Sequence, residues 1–278
     1  AWCRTHHGTH LPVRAYTRPK ISNADPALFL AMGIFALAFV VLYFVNIPEP
    51  HIVKTSAKKE KSKHSALSFR HFVLGTVAIF IYVGVEVGIP NFANLFMTSP
   101  EINIDPTIAG SVVGTYWFLM MIGRLCGASI GAKVSSRAML TVVSTVGIVL
   151  VLGAIFCADN ILVNMPVFKS DISFGFAQVP VNVMLLILCG LCTSVMWGGI
   201  FNLAVEGLGK YTAAASGLFM VMVCGGGILP LIQGGVADFA GFLNSYWVIA
   251  LGLAYILFYA AIGSKNVNTD IPTDDYEA

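Results

Sequence analysis

Apolar residues do not alternate with polar ones along this chain; they gather in long blocks bounded by proline, glycine or charge. The blocks at about 27 to 47, 72 to 97, 108 to 131, 138 to 158, 181 to 205, 213 to 236 and 242 to 262 predict seven helices. A helix of roughly 20 apolar residues crosses a hydrocarbon core of about 30 Å, and one that is apolar on every side belongs inside protein or lipid. The pattern therefore predicts an all-α, polytopic membrane bundle of about seven transmembrane helices. Pro26 and Pro180 each stand where a first helical turn would begin, a place where the missing N–H is not needed.

Composition agrees with this pattern. The 278 residues are 57% hydrophobic and 11% charged, whereas about a quarter of a soluble domain is charged. The net charge of +2 gives no reason to expect a nucleic-acid partner, because the basic residues sit in short connections beside apolar blocks. Such residues report topology, since cytoplasmic loops are enriched in Lys and Arg. The connection HIVKTSAKKEKSKHSALSFR, with Lys54, Lys58, Lys59, Lys61, Lys63 and Arg70, is placed inside. Alternation then puts Arg124, Lys133, Arg137, Lys210 and Lys265 inside too, leaves Lys169 outside, and makes the C-terminus cytoplasmic.

The expected divisions are a lead at 1–26, a first helix at 27–47, a basic interdomain loop at 48–71, a six-helix bundle at 72–264 and a tail at 265–278. The lead carries Arg4, Arg14, Arg18 and Lys20 on the side where few are expected and shows no period, so it is read as non-native or disordered. His6, His7 and His10 within it are too little to assign a metal. The cysteines lie mostly in apolar blocks and read as packing thiols rather than a disulfide framework.

With the first helix set aside, six helices divide into two triplets, and the opening helix of each carries a polar insertion. One holds Glu86, Pro90, Asn91 and Asn94; the other holds Trp197, Gly198, Gly199 and Asn202. Interrupted segments at matching positions of repeated units point to a transporter's binding site. On a helix Glu86, Pro90 and Asn94 advance by about 40° each, with Asn91 about 60° beyond Asn94, so the set fills less than half the circumference. Pro90 also leaves the Glu86 carbonyl without its helical donor. That is tolerable at membrane depth where a neighbour or cavity water supplies one.

The run GTYWFLMMIGRLCGASIGAKVSSR at 114–137, with MWGGIFNLAVEGLGKYTAAASGLFMVMVCGGGILPLIQGGVADFAG at 196–241, resembles the C-terminal half of the fucose permease family. These are sugar symporters of the major facilitator superfamily, and IYVGVEVGIPNF is similar to their seventh helix. The likeness covers about residues 27 to 265, rests on the Gly-Arg-x-x-Gly turn and the triple-Gly helix, and looks nearest to bacterial glucose, galactose or fucose transporters. It implies a twelve-helix carrier of which this chain holds the sixth to twelfth helices. The resemblance makes the missing N-terminal half a partner, and associates the proton-coupling carboxylates with that half, so coupled transport is not expected of this chain alone. It further implies secondary active transport of a monosaccharide by alternating access in a bacterial inner membrane, with H+ or Na+ as coupling ion and no cofactor. The superfamily's loop between helices eight and nine usually has an Asp before its Arg; Gly123 stands there, which removes a gating salt bridge through that Asp.

A carboxylate at membrane depth costs at least about 2.5 kcal/mol, so Glu86 is expected to face a cavity or a partner. It either accepts substrate hydroxyls or serves coupling, or else it is a structural group bonded to a Tyr or Asn of a neighbouring helix. Asn91 and Asn94 suit sugar hydroxyls because an amide both donates and accepts. Alternatively they bond between helices, an interaction of about 0.6 to 2 kcal/mol. Trp197 either stacks on a pyranose face or packs beside Gly198 and Gly199. Asn202 is expected to reach the cavity and Gln233 is a further substrate-binding candidate. Arg124 is expected to end the third helix, where it bonds terminal carbonyls and gates the inner face. Gly123, Gly127 and Pro90 are read as gating or structural, and Gly225, Gly226 and Gly227 as letting a neighbour approach and a helix bend.

Other classes fare less well. A retinal protein needs a Lys in its last helix, and GFLNSYWVIALGLAYILFYAAIG has none. An integral-membrane enzyme would want clustered His or Asp at one face, and no zinc-ligand pair, nucleophile elbow or phosphate loop is present. No catalytic residue is expected, and a seven-helix receptor or other non-transporting membrane protein remains the alternative to a carrier.

Overall fold

A computed structural model describes residues 25–45, 64–158, 160–169, 173–268 and 270–273. The lead before Asp25, its histidines, the lysines from Lys54 to Lys63 and the end of the acidic tail lie outside the described residues. The chain separates into two compact units, Ala1–Glu60 and Lys61–Ala278. In the first, helix α1 spans Asp25–Phe44 and carries an apolar stretch, Leu28–Phe44.

Among the described residues of the second unit, six helical segments are long and apolar enough to cross a membrane: Arg70–Met97, Pro106–Gly131, Ser136–Phe156, Val181–Val205, Gly209–Ala240 and Phe242–Gly263. The first three are single helices, α2 (Arg70–Met97), α3 (Pro106–Gly131) and α4 (Ser136–Phe156). The fourth is α5 (Val181–Thr193) and α6 (Met196–Val205). The fifth is α7 (Thr212–Val221) and α8 (Gly225–Ala240), joined by a 3-10 turn at Met222–Cys224, and the sixth begins with α9 (Phe242–Phe258). This is the polytopic helical bundle that the apolar blocks predict.

Local chemistry fixes the ends. Asp105 caps α3 by accepting from the Thr107 N–H at 2.8 Å, with Pro106 in the first turn. Ser135 caps α4 through Ala138 N–H at 3.3 Å. Between α8 and α9 the chain turns at Gly241, whose φ of 92° suits a residue without a Cβ.

The continuous helix expected over 181–205 is broken at Ser194–Val195. The Ser194 hydroxyl donates to the Leu191 carbonyl at 2.6 Å, in place of a regular backbone bond. The connection that carries Lys169, between the fourth and fifth apolar blocks, is a β-hairpin, β1 (Leu162–Phe168) with β2 (Phe174–Pro180), antiparallel and paired from Leu162↔Pro180 to Phe168↔Phe174. Its Met165, Val167, Ala177 and Val179 are buried while their neighbours are more exposed, the two-residue period of a strand. The hairpin is anchored to α3: Phe168 N–H donates to Thr115 Oγ1 at 2.9 Å, and Phe168 stacks on Phe118 at 4.9 Å.

Helix α2 is the hub, packing on α3, α5, α6, α8 and α9. Its glycines allow this. A Cβ at Gly84 would run into Leu229 of α8, and one at Gly225 of α8 would sit on the Phe80 carbonyl. Small residues at such crossings let helix backbones approach in a membrane, where burial in lipid gives no hydrophobic reward.

Candidate functional site

The Gly-Arg-x-x-Gly run of α3 divides its work by face. Gly123 and Gly127 are buried and lie against the break in the fourth span: a Cβ at Gly123 would meet the Ser194 hydroxyl, and one at Gly127 would meet Val195. Arg124, between them, is exposed. It is not at the helix end, as α3 continues to Gly131, and its guanidinium does not bond terminal carbonyls. Its Nη2 donates instead to Glu86 Oε1 of α2 at 3.1 Å and to Met120 Sδ at 3.3 Å. The pair is asymmetric, with side-chain exposures of 57% for Arg124 and 14% for Glu86. The more buried carboxylate is therefore the group that depends on its partner.

Arg124 opens into a cavity of about 630 Å³ whose lining includes Gly127, Ser136, Ser194, Trp197, Gly198 and Asn202. Glu86 reaches it through Arg124. Trp197 is held edge-on by Tyr82 (6.3 Å) and Phe219 (5.9 Å) and is half-buried, while Gly198 leaves open space beside it. Asn202, exposed one turn further along α6, also borders a second hollow of about 380 Å³ with Arg137 and Glu206.

The polar face of α2 does not act as one set. Asn91 and Asn94 line a different hollow, of about 440 Å³, with Phe92, Gly227 and Leu231. Pro90 is buried. Gln233 lines neither cavity: it is fully buried, donates to Ser245 Oγ at 3.4 Å and fills the space above Gly88. Gly225 and Gly226 lie against α2, at Phe80 and Val83, whereas Gly227 has open space beside it.

Tyrosine hydroxyls complete the site, and sequence reasoning missed them. Tyr116 of α3 donates to the Glu86 carbonyl at 3.2 Å, the group that Pro90 leaves without a donor, and its oxygen lies 3.0 Å from Thr193 Oγ1. Tyr82 donates to the Thr193 carbonyl at 3.2 Å, beside the break, and Tyr246 of α9 donates to the Ile89 carbonyl at 2.9 Å. The orphan carbonyl was deducible from Pro90. Its donor was not, because a Tyr inside an apolar block gives the same pattern as a packing aromatic.

Chemically, a paired Arg and carboxylate contribute no net charge, while the exposed guanidinium keeps N–H donors free for a ligand. Asn202 adds a donor and an acceptor, and Trp197 an apolar ring with one N–H. Such a lining suits a small, uncharged, many-hydroxyl molecule, and the volume falls in the range of about 300 to 1,000 Å³ usual for ligand pockets.

Comparison with known proteins gives a consistent picture. The model of the Major Facilitator Superfamily matches residues 26–229. A glucose/galactose transporter of Brucella abortus is 30% identical over 263 residues, 93% of this chain and 59% of that protein. The L-fucose-proton symporter of Escherichia coli is 21% identical over 90% of this chain and 54% of its own length. The chain thus spans little more than half the length of the curated relatives it matches. Among solved structures, the Major Facilitator Superfamily transporter FucP, in the outward conformation, superposes with a TM-score of 0.67 at 21% identity, covering 87% of this chain and 55% of that one.

Proposed function

Because the chain belongs to the Major Facilitator Superfamily, we propose that it supplies one half of the path of a monosaccharide carrier of the fucose, glucose or galactose class. The observation that carries this reading is the cavity where the neutralised Glu86–Arg124 pair meets Trp197 and Asn202. In this account Arg124 and Asn202 hydrogen-bond sugar hydroxyls, Trp197 packs on the ring, and Glu86 holds the guanidinium in place. The chain's cavity is open, and the relatives are long enough to carry a second helical half that closes it. Alternating access is then the rocking of one half on the other around this site. The Lys- and Arg-bearing ends of the helices face the cytoplasm of a bacterial inner membrane, and transport is symport with H+ or Na+, whose binding groups lie in the other half.

The test is equilibrium binding to the purified chain in lipid nanodiscs. Fucose, glucose and galactose are expected to compete with one another, while glucuronate and glucosamine, of similar size but charged, compete poorly because the paired site offers no uncompensated charge. Binding of none of the neutral sugars, or preferential binding of a charged analogue, overturns the proposal.

A further inference from the structure

Two backbone defects flank the cavity. Pro90 deprives the Glu86 carbonyl of its helical partner in α2, and the Ser194–Val195 break interrupts α5 and α6 just before Trp197. Each defect opens the first helix of a triplet, and each leaves a carbonyl that a neighbouring Tyr hydroxyl satisfies. One side chain touches both. The phenolic proton of Tyr116 goes to the Glu86 carbonyl, so its oxygen is left to accept from Thr193 Oγ1, the last residue of α5. The Thr193 hydroxyl is shared with the Cys189 carbonyl at 3.2 Å. Tyr116 is fully buried, and α3 is pressed on α5 at the same level, where a Cβ at Gly190 would meet the Tyr116 carbonyl 2.6 Å away. A buried hydroxyl in that position has no water to exchange with, so losing one partner leaves an unsatisfied group.

We propose that Tyr116 is a positioning residue whose hydroxyl joins the proline defect of α2 to the break between α5 and α6, so that Glu86 and Trp197 are set by one shared joint. The joint itself is independent of any ligand. Its consequence for ligand binding rests on the sugar reading above: a substrate that draws on Glu86 and Trp197 together meets both in a fixed relation, and movement at the break is felt at Glu86.

Hydrogen–deuterium exchange of the full chain in nanodiscs tests the joint. Tyr116→Phe keeps the ring and removes the hydroxyl, and it is expected to speed exchange about three- to tenfold at amides near the α2 defect and near Ser194 alike, the range for one interhelical hydrogen bond. In a Pro90→Ala background the new amide supplies the Glu86 carbonyl. There Tyr116→Phe should lose its effect on α2 while keeping it at the break. Thr193→Val removes the other hydroxyl of the joint without altering ring or proline; it should speed exchange near Ser194, and adding Tyr116→Phe should give no further rise there. An effect confined to one defect, or an effect of Tyr116→Phe on α2 that is unchanged by Pro90→Ala, overturns the joint. Failure to bind sugar overturns the functional reading and leaves these exchange results standing.

Discussion

At the residue scale, the unequal burial of Glu86 and Arg124 makes their removal unequal. Arg124→Gln strands a mostly buried carboxylate inside a membrane protein, whereas Glu86→Gln strands a guanidinium that is more than half exposed. Removing the partner of the more buried charge costs more than removing the partner of the exposed one, so Arg124→Gln is expected to lower the unfolding midpoint in detergent below that of Glu86→Gln. Equal midpoints would mean that the carboxylate finds another partner. Two glycines that line the cavity give a second contrast. Gly127→Ala puts a methyl into Val195 and should cost about 1 to 3 kcal/mol, as overpacking does, while Gly198→Ala enters open space. Thermal unfolding of the two variants checks this, and a neutral Gly127→Ala would contradict the close seat of α3 on the break.

At the element scale, the helices were legible because apolar blocks of membrane-spanning length leave few alternatives, while the caps that fix their ends, Asp105, Ser135 and Gly241, are seen only in the structure. What was not legible depends on which way a side chain faces. Arg124 was placed at a helix end although the apolar block already ran to 131, and nothing in the chain alone says that its side chain meets Glu86. Gln233 and Asn202 are both amides in apolar helices, yet one is buried and the other opens on a cavity. The hairpin did leave a short signal: Val163, Met165 and Val167 alternate with Asn164 and Pro166, and Pro166 is acceptable in a two-stranded sheet, where both strands are edges.

The cap of α3 carries a pH dependence. The Thr107 N–H bonded to the Asp105 carboxylate holds that carboxyl below its usual range. A lowered folded-state value means that its contribution to stability is fully present above the ordinary carboxylate pKa, about 4, and is lost as pH falls through the lowered value. The difference in unfolding midpoint between wild type and Asp105→Ala should therefore shrink on acidification below about pH 4. A difference that grows instead would show that the carboxylate does not serve as the cap.

At the scale of the whole molecule, the second unit is a bundle organised around α2, with a cavity that its own helices line and do not close. The chain belongs to the Major Facilitator Superfamily and spans little more than half the length of its relatives, and tyrosine hydroxyls hold the helices beside that cavity together. On the reading proposed above, Glu86, Arg124, Trp197 and Asn202 act as one sugar site. Calorimetric titration of fucose, glucose and galactose into nanodisc-embedded wild type, Glu86→Gln and Asn202→Ala tests it most directly. Loss of a hydrogen bond to a charged group is worth about 1.5 to 3 kcal/mol, so the account predicts at least about a tenfold weaker dissociation constant in Glu86→Gln and a smaller loss in Asn202→Ala. Wild-type affinity in both variants would contradict it.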